Sequence, residues 1–219
     1  MQEQAVSKQL DENIAWWKQQ FSDCADIKMR PMCLGRDMSI RAFLSYIEVT
    51  GGKNMMEDSV LGKNAEPAEC YGTAAGVCST AGNGLGVSDV TPFAQMSEAA
   101  GGMLTGDSIL FVDGFDRALQ IPDKGYPGMS LQKTESEKAI RGSNEGFGDS
   151  IKQNTALIRK RLRSVDLKVA ECKCGRRTGT NVDIMYLDGI VRPEIVTQMQ
   201  QRLAAFEIDG IGTAVSSNS

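Results

Sequence analysis

Between Ser7 and Phe21 apolar residues recur at helical spacing, with Leu10, Ile14, Trp17 and Phe21 on one side and Trp16 widening it. The spacing predicts an amphipathic helix that docks on a core. Trp16 and Trp17 are adjacent and cannot share one face, so one is expected in the core and the other at a lobe contact. Asp26 to Leu34 and Ile40 to Val49 read as two strands, the second dense in β-formers, turning through Gly35-Arg36-Asp37. Gly51-Gly52 ends the second, and a short helix is expected from Asn54 to Leu61. From Gly62 to Asp89 the chain is rich in Gly, Ala, Ser and Thr, and neither period survives, which predicts a loop-like insert. Pro92, suited to a first helical turn, opens an Ala/Met/Leu-bearing helix to Leu104, stopped by Thr105-Gly106-Asp107. Ser108 to Val112 is a compact apolar strand that can pair with Arg117 to Ile121 across Asp113-Gly114-Phe115-Asp116. Pro122 to Ser130, with two prolines and two glycines, is the expected boundary. Beyond it a helix is expected from Phe147 to Arg163, with Phe147, Ile151, Leu157, Ile158 and Leu162 on its apolar side. Strands follow at Leu167–Cys174 and Asn181–Asp188. Pro193 then opens a closing helix to Phe206 that uses Ile195, Val196, Met199 and Leu203.

These elements repeat. Ile27 to Val49 recurs as Leu167 to Gly189 at one constant offset, which matches Lys28 with Lys168, Gly35 with Gly175, Arg36 with Arg176 and Tyr46 with Tyr186. Ile27/Leu167, Leu44/Ile184, Ile47/Leu187 and Glu48/Asp188 are chemically alike. Upstream the echo continues with a one-residue slip, Asn13-Ile14-Ala15-Trp16-Trp17-Lys18 over Asn154-Thr155-Ala156-Leu157-Ile158-Arg159. One helix-strand-strand-helix unit thus occurs twice. The expected fold is α/β, in two related lobes, each with helices packed on a small mixed or antiparallel sheet. Residues 1–125 would form the N-terminal lobe with a flexible insert at 62–89, residues 126–212 the C-terminal lobe, and residues 213–219 a frayed end. The lobes would meet near Pro122–Ser130, and an interface between lobes is a favoured place for a small ligand.

Composition narrows the chemistry. A 41 % apolar share builds a core, and with aromatics at 6 % against 11 Met and 23 Gly the packing would be aliphatic and adaptable. The net charge of −4 argues against a nucleic-acid backbone as main partner. The chain contains no histidine, which removes the usual general base, the Ser-His and Cys-His nucleophile systems and histidine metal sites. No catalytic pair stands out, and no enzyme, metal or cofactor is expected. Six cysteines, Cys24, Cys33, Cys70, Cys78, Cys172 and Cys174, read as reduced thiols, with Cys172 and Cys174 on one strand face as small buried residues. Gly82-Asn83-Gly84-Leu85-Gly86 lacks the preceding strand and the Gly-Lys-Ser/Thr ending of a phosphate-binding loop. No apolar run approaches the ~20 residues that span a bilayer.

The second half carries a resemblance. Glu137-Lys138-Ala139-Ile140-Arg141-Gly142-Ser143-Asn144-Glu145-Gly146-Phe147 is followed by a helix holding Asn154 and ending in Arg159-Lys160-Arg161-Leu162-Arg163. With Phe111-Val112-Asp113-Gly114 upstream and Leu167-Lys168, Gly175-Arg176-Arg177, Thr180, Val182, Ile184, Tyr186 and Arg202-Leu203 downstream, this run resembles the A-subunit family of bacterial spore germination receptors, the GerA family. Ser143-Asn144 departs from that family's Pro-Arg, and Lys133-Thr134 from its Glu-Pro.

The resemblance implies a non-enzymatic role in nutrient-triggered germination and ion release. The partners it implies are other receptor subunits, a small nutrient (amino acid, sugar or nucleoside) and the inner spore membrane, reached through a transmembrane part outside this chain, with the domain on the core side. A homo-oligomer is compatible with it. An accessory ion-channel protein of the same family, without its own germinant, is the alternative. Glu137, Arg141, Gly142, Glu145, Gly146 and Asn154 are the expected ligand or subunit contacts, because glycines let backbone amides approach an anionic group near a helix start. The Glu137–Arg141 and Arg141–Glu145 spacings equally suit local ion pairs. Arg159, Arg161 and Arg163 are the expected basic cluster against lipid or a neighbouring subunit, or else a solvated helix end that complements the dipole.

Overall fold

The computed structural model describes residues 3–34, 39–49, 90–122 and 147–206. Those residues fall into two compact units, one drawn from 3–21, 26–34, 39–49, 90–122 and 147–165, the other from 22–25 and 166–206.

In unit 1 the helical spacing near the N-terminus becomes α1 (Leu10–Gln20), which begins later than Ser7 because Ser7 is used as an anchor. Asn13 holds it, its Oδ1 accepting from the Ser7 N–H at 2.9 Å and its Nδ2 donating to the Ser7 carbonyl at 2.7 Å. β1 (Ile27–Leu34) and β2 (Ile40–Ile47) form the expected antiparallel hairpin. The sheet continues through β4 (Ser108–Val112), β5 (Ala118–Ile121) and β3 (Thr91–Phe93), in the order β1-β2-β4-β5-β3, antiparallel throughout. Pro92 therefore lies in a strand, not at a helix start. It sits on the edge strand, where a missing N–H costs little of the ladder. The helix begins later, as α2 (Met96–Leu104), where Glu98 reaches back to accept from the Gln95 N–H at 3.3 Å. Gly106 closes it at φ 106°, a conformation that side chains resist.

Strand alternation divides the core between the two faces of the sheet. On one lie Phe43, Ser45 and Ile47 with Ile109 and Phe111. There α1 inserts Trp17, which is fully buried, has its ring 4.9 Å from Phe21 and 5.1 Å from Phe111, and donates its Nε1–H to Ser45 Oγ at 2.8 Å. Ser45 Oγ in turn lies 3.3 Å from Met103 Sδ of α2, so one serine satisfies the indole and ties both helices to β2. Trp16, half-buried, packs beside it at 5.9 Å. The other face is a layer of Ala42, Leu44, Leu110, Val112, Leu119 and Ile121. Because both faces are apolar, β4 is buried at every position.

The second copy of the repeat yields α3 (Ile151–Arg161), β6 (Leu167–Cys174) and β7 (Thr180–Leu187). Phe147, expected within that helix, precedes it and is exposed, as is Leu162 just beyond it. The match with the first copy is detailed. Both hairpins pair end to end, Ile27 with Ile47 and Leu167 with Leu187, and each is closed by the same bond, Glu48 N–H to Asp26 O and Asp188 N–H to Asp166 O, both 2.8 Å. Asn154 repeats the role of Asn13, its Oδ1 accepting from the Gly148 N–H and its Nδ2 donating to the Gly148 carbonyl, both at 2.8 Å.

Unit 2 is the β6–β7 hairpin with α4 (Pro193–Ala204) on β6, Pro193 standing in the first turn as expected. Residues 22–25 join it through one parallel β-bridge, Cys24 beside Val169. The Ala25 N–H donates to the Val169 carbonyl at 3.0 Å and the Val169 N–H to the Asp23 carbonyl at 2.8 Å. The expected helix at 54–61, the insert at 62–89, the turn Gly35-Arg36-Asp37 and, beyond Pro122, the boundary segment lie outside the described residues. The helix expected with the second lobe, α3, belongs to unit 1.

Candidate functional site

Arg159 departs most from its sequence reading. Expected in an exposed basic cluster, it is 0 % exposed, with Nε and Nη2 donating to the two Asp26 carboxylate oxygens at 2.9 Å each and Nη1 to the Ser164 carbonyl at 3.2 Å. A planar fork on a carboxylate suits arginine, and burial requires such pairing. Helical spacing turned Arg159 to the buried side with Thr155 and Ala156, leaving Arg161 and Arg163 exposed. The expected cluster is thus a pair of surface cations, with Arg163 Nε donating to the Lys160 carbonyl at 3.2 Å.

Two helical turns earlier, Lys152 Nζ meets Glu48 Oε1 at 2.6 Å, and Lys28 Nζ meets Glu48 Oε2 at 3.3 Å. Burial pushes the Glu48 carboxyl up, but the hydrogen bonds and charges of Lys152 and Lys28 outweigh it and hold the pKa below the usual value. Asp26 and Glu48 flank the mouth of the first hairpin, so α3 is clamped there by two cations from one helix. Sequence offered a signal, since Asp26/Asp166 and Glu48/Asp188 are repeat-related acids, but not which helix would meet them.

In unit 2, Tyr186 pairs across the hairpin with the buried Lys168. Burial, and then the carboxylates of Asp23 and Asp188, push the phenol up. Cys174 is buried, its Sγ donating to the Leu203 carbonyl at 3.2 Å, and Cys172 donates to the Val182 carbonyl at 3.4 Å. Burial, then Cys174, Asp183 and Glu171, raise the Cys172 thiol, which leaves it little thiolate character. Among the described residues no three His, Cys, Asp or Glu side chains are grouped to hold a metal, and four cysteines are free thiols.

Of the expected ligand or subunit contacts, Glu137, Arg141, Gly142, Glu145 and Gly146 lie outside the described residues. Asn154 is committed to its clamp on Gly148.

The repeated helix-hairpin units define a mixed α/β domain with antiparallel sheets. The chain matches the Bacillus/Clostridium GerA spore germination protein family over residues 15–216, and it belongs to that family. It is 30 % identical to the "Uncharacterized membrane protein YfkQ" of Bacillus subtilis (strain 168), over 96 % of this chain and 40 % of that protein. It is 25 % identical to "Spore germination protein KA" of the same organism, over 94 % of this chain and 38 % of that protein. "Stage V sporulation protein AF", also from B. subtilis, is 33 % identical over 54 % of the chain and 24 % of that protein. The fold matches the crystal structure of the N-terminal domain of the A subunit of the Bacillus megaterium spore germinant receptor GerK3, with a TM-score of 0.68, 24 % identity, and coverage of 95 % of this chain and 76 % of that one. The chain thus spans about two fifths of the length of the first two of these curated relatives. No helix among the described residues is long and apolar enough to cross a membrane.

Proposed function

We propose that this chain is the N-terminal domain of a spore germination receptor A subunit, acting without chemistry in nutrient-triggered germination through subunit assembly, gating or small-molecule sensing. The observation that carries the reading is the family match over residues 15–216, together with the fold shared with a germinant-receptor A-subunit domain. The wider protein would sit at the inner spore membrane with this domain on the core side, joined to other receptor subunits. Glu137, Arg141, Gly142, Glu145 and Gly146 are the proposed ligand or subunit contacts, next to the helix start that Asn154 fixes. Arg161 and Arg163 are the proposed basic contacts with lipid or a neighbouring subunit.

The test is germination of spores that lack the full-length gene, scored nutrient by nutrient as ion release. The receptor reading expects loss of response to some nutrients and not others, restored by the parent gene. Unchanged response to every nutrient overturns it. A uniform slowing with all nutrients would instead favour an accessory ion-channel protein without its own germinant. For the sensing role, a nutrient bound only by the folded state must raise the melting temperature of the purified domain, and Arg141→Ala should abolish that rise without unfolding it.

A further inference from the structure

Unit 2 leaves one side of α4 uncovered. The helix packs inward with Val196 and Leu203, yet Ile195, Met199 and Phe206 are 40, 47 and 53 % exposed, and Ile190, in the turn before it, is 77 % exposed. Steps of four and three residues set Ile195, Met199 and Arg202 in one row, Arg192, the N-cap, lies one turn before Ile195 beside it, and Phe206 follows just past the helix end. The only carboxylate of the helix, Glu194, is offset from that row. Among the described residues of the helix the strip is therefore apolar with cations, and the exposed Asp188 lies before it, in the turn that carries Ile190. The C-terminal end of α4 is pinned beside the β6–β7 turn by the Cys174–Leu203 bond, and that turn carries the exposed Arg176 and Arg177.

We propose that α4 lies in the headgroup layer of an anionic bilayer, with Ile190, Ile195, Met199 and Phe206 toward the acyl chains and Arg192 and Arg202 at lipid phosphates. This rests on the reading of the chain as part of a membrane-associated protein. Charge selects the occupant. A second copy packed on the strip by a two-fold axis would set Arg192 and Arg202 against the partner's own arginines in an antiparallel or a parallel arrangement, which repels. Phosphate headgroups beneath an apolar layer satisfy both parts of the strip.

The experiment is co-flotation of the chain with phosphatidylcholine vesicles and with vesicles containing phosphatidylglycerol, at low and high salt. Binding to the anionic vesicles is expected, weakened by salt. Met199→Ser with Phe206→Ser should abolish it, and Arg192→Gln with Arg202→Gln should lower the partition coefficient by about tenfold or more. All four side chains are exposed, so melting temperatures should stay at the parent value, which separates lost binding from lost folding. Equal binding to both vesicle types, or none to either, overturns the proposal. So does a concentration-dependent dimer abolished by the same substitutions, which would put a second copy on the strip. Flotation reads this surface and spore germination reads the receptor role, so each can fail without the other.

Discussion

Asn13 and Asn154 occupy repeat-related positions and make the same two hydrogen bonds to the backbone six residues back, in different surroundings. Asn13 is fully buried, so Asn13→Ala leaves a cavity as well as the part-buried Ser7 N–H and carbonyl without their partner. Asn154 is half-buried, and water can replace it at Gly148. Urea unfolding should therefore give a loss of about 2–3 kcal/mol for Asn13→Ala and about 1 kcal/mol or less for Asn154→Ala. Equal losses would mean that burial does not set the strength of the clamp. Both asparagines were visible in the sequence as aligned residues. Their work as clamps was not, because the partner is backbone that any residue supplies. Arg159 was misread for a related reason. Four cations crowding a helix end look alike in sequence, and only the helical angle decides which one turns inward to Asp26.

At the scale of elements, periodicity served well wherever the apolar face was covered. β1, β6 and the first turn of α4 fall where the pattern put them, and the one-residue slip between the two helices reappears as the offset between α1 and α3. It failed where a rule had two solutions. Pro92 suits a helix start and equally an edge strand, and Ile195 and Met199 keep helical spacing without a covering partner. What joins α3 to the first hairpin is ionic, and this makes a sharper prediction. Arg159→Met leaves Asp26 buried without its partner and should cost about 3–5 kcal/mol, whereas pairing it with Asp26→Leu should recover much of that loss. Glu48 adds a pH dependence. Its pKa is depressed in the folded chain, so its contribution is present above the ordinary glutamate value, about 4.3, and is lost as pH falls through the lower folded value. Glu48→Gln should flatten the decline of stability on acidification below the ordinary glutamate value. An unchanged slope would show that Lys28 and Lys152 do not stabilise the carboxylate.

For the whole molecule, the consequence of residues 22–25 is that unit 2 is not a contiguous stretch of chain. The path leaves α1, forms a parallel bridge with β6 through Asp23, Cys24 and Ala25, and returns to unit 1 at Asp26, the residue that Arg159 grips. β6 is thus paired on both edges, with β7 on one side and this bridged segment on the other. A two-stranded hairpin with a single helix is marginal in water, and removing the bridged segment exposes Val169 and the backbone groups that Asp23 and Ala25 satisfy. Residues 166–206 expressed alone should therefore lack a cooperative thermal transition. Placing Ser22–Ala25 ahead of them on a flexible Gly/Ser linker should restore one, because the missing segment is then supplied at high effective concentration. If the bare fragment melts cooperatively, the hairpin and α4 suffice, and the bridge adds nothing to the stability of unit 2. The same dependence explains why the sequence alone placed the division at a Pro/Gly-rich segment. A composition shift marks where a chain can bend, whereas the units here are set by hydrogen bonds between residues far apart in sequence, which no local pattern records.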